Sequence, residues 1–154
     1  MSINADIKAG LALLPAKMNT HAARLMLHAI NLQENPRRLE QQVGGPARGD
    51  YQFESGGGVK GVLTHAASRE LAFSVCNARG VAPTQLSVYE AIGHDPVLAA
   101  AFARLLLWTD PKPLPLAGQV QQAWDLYERV WRPGKPHPER WAANYAAALE
   151  AVSV

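Results

Sequence analysis

The sequence predicts a mainly α protein with a small, irregular β or loop lobe. Three observations lead there. Six stretches repeat apolar residues at helical spacing. No stretch alternates strand-like and helix-like segments in the manner of a parallel sheet. Residues 35 to 66 hold nine glycines or prolines, so that segment is read as loops with short extended pieces such as Asp50–Glu54.

The chain has 154 residues, 48% of them apolar and 18% charged. That composition is globular, and the length suits a single domain over 1–154 that buries its own core. Residues 1–19 are read as an N-terminal segment. It is not a secretory signal, because Asp6 and Lys8 interrupt it and Pro15 ends the short run Leu11–Leu14. No run of about 20 apolar residues exists, so no membrane span is expected.

The elements follow in order. Thr20 caps a helix from His21 to about Glu34, with Ala22, Leu25, Met26, Ala29 and Leu32 on one face. Pro36 disfavours helical backbone at Asn35 and stops it there. Helical pattern resumes at about Ser68 and stops at Gly80. A short helix spans Pro83 to Ile92. Asp95-Pro96 is a cap followed by proline at the first helical position, opening a helix to about Trp108. That helix, VLAAAFARLLLW, is apolar nearly all round and belongs in the core. A proline-stiffened connector follows, then helices over Gln119 to Trp131 and Pro138 to Val152.

The stretch ARGDYQFESGGGVKGVLTH, residues 47 to 65, invites two readings that fail. Gly56, Gly58 and Gly61 fit a dinucleotide-binding spacing, but no βαβ unit surrounds them, and Val59, Gly61 and Val62 start a helix poorly. Arg48-Gly49-Asp50 is a three-letter adhesion match, which chance explains. We read the stretch as a cleft wall and a flexible glycine loop.

Other functions are limited by composition. The one cysteine, Cys76, lies in an apolar helical pattern, so it is expected to pack; no disulfide and no thiolate zinc site can form within the chain. The five histidines show no metal spacing, and neither metal nor cofactor is expected. A net charge of +2 with scattered Arg and Lys argues against nucleic acid as a partner.

Glu34 is the candidate catalytic residue. It shares a face with Leu27 and Ile30, so it follows an apolar stripe to the point where the helix meets the glycine-rich loops. Partial desolvation there raises a carboxyl pKa and suits a general acid. The plainer alternative is a solvated residue in a fraying last turn. Trp124, Tyr127 and Trp131 recur at helical spacing, a pattern that marks core packing more often than a sugar platform.

LHAINLQENPRR followed by GGPARGDYQFE resembles the lysozyme-like superfamily, in particular goose-type lysozymes, lytic transglycosylases and small proteins of tailed bacteriophages. Gln33-Glu34 matches the end of that family's catalytic helix. Ala47-Arg48-Gly49-Asp50-Tyr51-Gln52-Phe53 matches its Ala-x-Gly-apolar-apolar-Gln-apolar segment. The runs GGGVKGVLTH, AFARLLLWTDP and AWDLYERVWRPGKP are similar to phage members, and the likeness covers roughly residues 20 to 145. Three places depart from the pattern. Asp50 replaces an apolar residue, Asn35-Pro36 follows the glutamate, and Tyr127-Glu128 with Pro133-Gly134 lacks the Asn of the family's Tyr-Asn-x-Gly segment.

The resemblance implies an α+β lysozyme-like fold whose two lobes form a cleft. It implies cleavage of peptidoglycan glycan strands between N-acetylmuramic acid and N-acetylglucosamine, with Glu34 as acid/base. Gln52, Tyr51, Gly49, Phe53 and Tyr127 are the candidate substrate-binding residues. A transglycosylase needs only the one carboxylate. A hydrolase needs a second, for which Glu54 and Asp50 are the candidates, with Glu40 also nearby and no spacing that selects among them. The implied protein is made in a host bacterial cytoplasm and acts from the virion or after release to the periplasm. The rival expectation is a structural component of the virion tail or internal core, docked on other virion proteins.

Overall fold

The computed structural model describes residues 2–153. It is mainly helical, with eight α-helices among the described residues and pairing of extended backbone limited to two single-residue bridges, Gln41 with Arg48 and Arg48 with Phe53. Where a small β element was expected, the segment after residue 35 holds its shape by turns and side-chain hydrogen bonds instead.

The first helix, α1 (Ile3–Leu11), lies in the segment read as a plain N-terminal stretch. Ser2 caps it by accepting the Ala5 N–H at 3.1 Å. Asp6, taken as an interruption, is buried in α1 because Arg38 reaches it from another part of the chain at 2.5 Å. A 3₁₀ turn, Ala16–Met18, leads to α2 (His21–Glu34). Thr20 caps α2 by accepting the Ala23 N–H, and α2 ends before Asn35-Pro36 as expected.

The glycine run is not a loose loop. Ser55–Val59 forms a wide turn, kinked at Gly57 (φ −102, ψ −105), that passes into the short helix α3 (Lys60–Thr64). Val59, Val62 and Leu63 are buried there, so tertiary packing overrides the poor helix propensity of the glycines. Helix α4 (Arg69–Arg79) ends on Gly80 in the left-handed conformation, with Val81 N–H bonded to the Cys76 carbonyl. Cys76 is fully buried, and burial pushes its thiol up to about 11, consistent with packing.

Helix α5 (Gln85–Ile92) starts two residues later than Pro83, where the Thr84 hydroxyl accepts the Ser87 N–H. Asp95 caps α6 (Pro96–Trp108), which is buried at Val97–Leu105 and again at Leu107. This helix is the centre of the molecule, packed against α1, α2, α3, α4 and α5. Its one charged residue, Arg104, donates from Nε to the Met18 carbonyl at 2.9 Å and lies over the Trp108 ring; burial pushes it down to about 10. Helix α1 crosses α6 so closely at Gly10 that an added Cβ would lie 2.8 Å from the Val97 carbonyl oxygen.

After the connector come α7 (Val120–Trp131) and α8 (Trp141–Val152). Pro138 opens a 3₁₀ turn, Pro138–Arg140, and α8 proper begins at Trp141. Helix α2 packs most extensively against α8. Side chains tie α8 to both neighbouring helices. Gln33 of α2 accepts from Asn144, and Asn4 of α1 donates to the Ala151 carbonyl. No helix of the described chain is long and apolar enough to cross a membrane.

Candidate functional site

Glu34 stands at the last position of α2, half-buried. Burial and two neighbours set its properties. Desolvation pushes its carboxyl above the usual carboxylate range, and nearby Glu54 adds to this by like-charge repulsion. Between them in size is an opposing contribution, the hydroxyl of Tyr127, which donates to Glu34 Oε1 in a short hydrogen bond and favours the ionised form. Burial raises the Tyr127 hydroxyl far above its ordinary range, so Tyr127 remains the donor.

The backbone around Glu34 is held from two directions. The adjacent Gln33 donates to the carbonyls of Pro136 and His137, which ties the end of α2 to the segment after α7. On the other side, Asn35 donates to the carbonyls of Leu39 and Gly49, and Asn31 donates to those of Asn35 and Asp50. The end of α2 is therefore bonded firmly to the segment 39–50 and does not fray.

A cleft of about 660 Å³ lies beside this position. It is lined by Gln52, Phe53, Glu54, the glycines 56 to 58, Gly61 and His65, together with Leu106, Thr109, Asp110, Pro111 and residues 129 to 132. Glu34 is not among the lining side chains; Glu54, whose charge acts on it, is. An added Cβ at Gly56 or Gly61 would meet nothing within 4 Å, so their missing side chains leave the cleft broad.

The candidate substrate-binding residues divide. Gln52 and Phe53 line the cleft. Gln52 is held at φ 55, an unusual backbone for a residue other than glycine, and both its backbone N–H and its amide donate to the Gly49 carbonyl. Phe53 is almost fully buried and forms the floor against Trp131, ring centroids 6.2 Å apart. Tyr51 is not a cleft residue. Its ring is sealed in the core, with a buried hydroxyl that has no hydrogen-bond partner among the described residues. Gly49 is buried too. Its φ of 77 and the Ile92 carbonyl oxygen, 2.6 Å from where a Cβ would sit, explain the glycine structurally. Tyr127 is buried and meets the site through Glu34 and through the Trp131 ring, centroids 6.3 Å apart.

The two further carboxylates also divide. Asp50 is buried and bound in a bidentate pair to Arg38, which also binds Asp6, so it lies outside the cleft lining and is already neutralised. Glu54 is exposed and lines the cleft.

Several cleft residues carry no signal at short range in the sequence. Trp131, expected in the core with its helical neighbours, is half-exposed. Its indole N–H donates to the Tyr51 carbonyl at 2.9 Å, which fixes the ring in the cleft wall. Trp124 and Tyr127 do pack in the core, in a cluster with Trp141 and Tyr145. His65 accepts the Ala67 N–H at Nδ1, so its neutral form carries the proton on Nε2. Arg129 and Asp110 form a bidentate pair across one edge. Among the described residues no group of three or more His, Cys, Asp or Glu is placed to hold a metal ion.

Comparison of the chain with protein-family models, with curated proteins and with solved structures finds no match.

Proposed function

We propose that this chain is a phage-encoded, lysozyme-like protein that cleaves the glycan strand of peptidoglycan, with Glu34 as acid/base. The observation that carries the reading is the Glu34 carboxyl itself. It is half-buried, raised in pKa by desolvation and by Glu54, and held in one orientation by the Tyr127 hydroxyl beside a broad cleft. A group in that state holds a proton closer to neutral pH than a free carboxyl does, as a general acid requires.

In this reading Glu34 gives its proton to the glycosidic oxygen as the bond to the muramyl C1 breaks. The glutamate then takes the proton of the muramyl 6-hydroxyl as that oxygen closes on C1, giving a 1,6-anhydro end. No second carboxylate is consumed. A hydrolytic route would place water at C1 and use Glu54 as the second carboxylate, since it is exposed in the cleft while Asp50 is bound to Arg38. The protein would reach the wall from the virion or after release from the host cytoplasm.

A second reading has its own support. Glu34 is not among the side chains that line the cleft, and a separate apolar groove over residues 112–126 carries Leu116 at 68% exposure. Those features suit a structural virion protein on a lysozyme-like scaffold, docked through apolar surface.

Digestion of purified peptidoglycan by the wild type and by Glu34→Gln separates the readings. Anhydro-muropeptides from the wild type alone support a lytic transglycosylase using Glu34. Reducing muropeptides point to hydrolysis and to Glu54. No release by a folded wild type removes the enzymatic reading and leaves the structural one.

A further inference from the structure

We propose that Arg132 is the anion-recognising residue of the cleft, and that the ligand it selects carries a carboxylate. The inference rests on the reading of the cleft as a glycan site and adds what kind of sugar that site prefers.

The charges along the cleft are unequal in their commitments. Arg129 is already satisfied by Asp110, with contacts of 2.8 and 3.1 Å. Arg132 lines the same cleft, is exposed, and its guanidinium makes no hydrogen bond or ion pair to any described residue. It is the cleft's cation left over for a ligand. Its planar fork of donors matches a carboxylate in two parallel hydrogen bonds.

The backbone gives an independent reason. Arg132 caps α7 in the left-handed conformation, φ 49 and ψ 55. That conformation brings the Cβ of any residue other than glycine too close to the following carbonyl oxygen. Pro133 follows it, which normally favours extended backbone at the preceding position. The same chain ends α4 in the same conformation with a glycine, Gly80 at φ 69. The cap of α7 thus holds an arginine where glycine would be easier. Gln52, the other left-handed residue of the lining, sits in the same cleft at φ 55. Backbone strain of this kind gathers at ligand sites, where the side chain must be held in a set direction.

The rest of the cleft fits an acidic sugar. Gly56 and Gly61 leave room for a bulky substituent. Glu54, from a different segment of the lining, repels a carboxylate, which leaves Arg132 as the place where one is accepted.

Calorimetric titration with two probes tests the proposal, every protein compared carrying Glu34→Gln so that the strands are not cleaved, and wild type referring here to position 132. One is a neutral N-acetylglucosamine oligomer. The other is peptide-free peptidoglycan strands of similar length, whose muramyl sugars bear free carboxylates. The wild type is expected to bind the acidic strands about tenfold more tightly, the effect of one partly exposed charge-assisted contact. Arg132→Gly, which relieves the strained cap and so keeps or raises the melting temperature, is expected to bind both alike; Arg132→Gln does the same without the change in backbone freedom. Equal binding of both probes by the wild type overturns the proposal while leaving the glycan reading in place. So does a preference that persists in Arg132→Gly and Arg132→Gln. Failure of both probes to bind overturns the glycan reading and this proposal with it.

Discussion

Tyr127 on α7 donates its hydroxyl to the carboxylate of Glu34 at the end of α2, 93 positions away in the chain. The bond favours the ionised form of a carboxyl that burial pushes toward the neutral form. Tyr127→Phe removes only the favouring partner. Glu34 in that variant is expected to titrate at higher pH than in the wild type, read from its carboxyl ¹³C shift. Stability should fall by about 1 kcal/mol, the ordinary size of one lost hydrogen bond. A titration midpoint unchanged or lowered would refute the assigned geometry.

The raised pKa of Glu34 also has a consequence for stability. Because the folded value lies above the ordinary 4.5, the folded state keeps its proton over a range in which the unfolded chain has lost it. The stability contributed by Glu34 is therefore full below the unfolded pKa and falls as pH rises through the folded one. Glu34→Gln removes that charge and keeps a partner for Tyr127. Its melting temperature at pH 7 is expected to exceed the wild type by roughly 2–4 °C, a typical gain when a functional site loses its strain. The difference should shrink toward pH 4, and a thermal scan at both pH values checks it.

Arg38 joins two buried carboxylates, Asp6 of α1 and Asp50 of the segment before the cleft. Replacing it by methionine keeps much of its bulk and leaves both acids without their cation. Breaking a buried ion pair in this way costs about 3–5 kcal/mol, and the partial exposure of Arg38 places the expected loss near the lower end. Urea unfolding measures it. A loss under about 1 kcal/mol would mean that the network behaves like an ordinary surface pair.

Gly10 is where α1 and α6 touch. An added methyl would lie 2.8 Å from both the Ala100 Cβ and the Val97 carbonyl oxygen, neither of which can turn aside. Gly10→Ala gains about 1 kcal/mol of helix propensity but forces the helices apart, at a cost of about 1–3 kcal/mol. A net loss of stability, with a lower urea midpoint, is expected.

What the sequence revealed of this fold was what neighbours in the chain decide. Thr20, Asp95-Pro96 and Gly80 act through backbone groups a few residues away, and the helix limits they mark are found in the structure. What it concealed was decided at a distance. Asp6 looked like a break in an apolar stretch because its partner Arg38 lies 32 residues on. Tyr51 was a candidate for substrate binding, yet it is sealed in the core while the half-exposed Trp131 bonds to its carbonyl. The glycine run looked loose, and buried Val59, Val62 and Leu63 draw it into a helical turn. At the candidate site, the half-buried setting of Glu34 was legible from the apolar stripe leading to it. Arg132 was not, because nothing in a short window says that an arginine takes a conformation suited to glycine.

The packing of α2 against α8 bears on how the molecule comes into being on the ribosome. Helix α2 emerges early, but the surface that covers it, from Trp141 to Val152, emerges among the last residues described. Until then the apolar face of α2 has no neighbour on that side, and loop closure over more than a hundred residues must precede its burial. The pairing of Glu34 with Tyr127, by contrast, waits only for α7, 93 positions on. A nascent protein halted before α8 would present an uncovered α2 to chaperones.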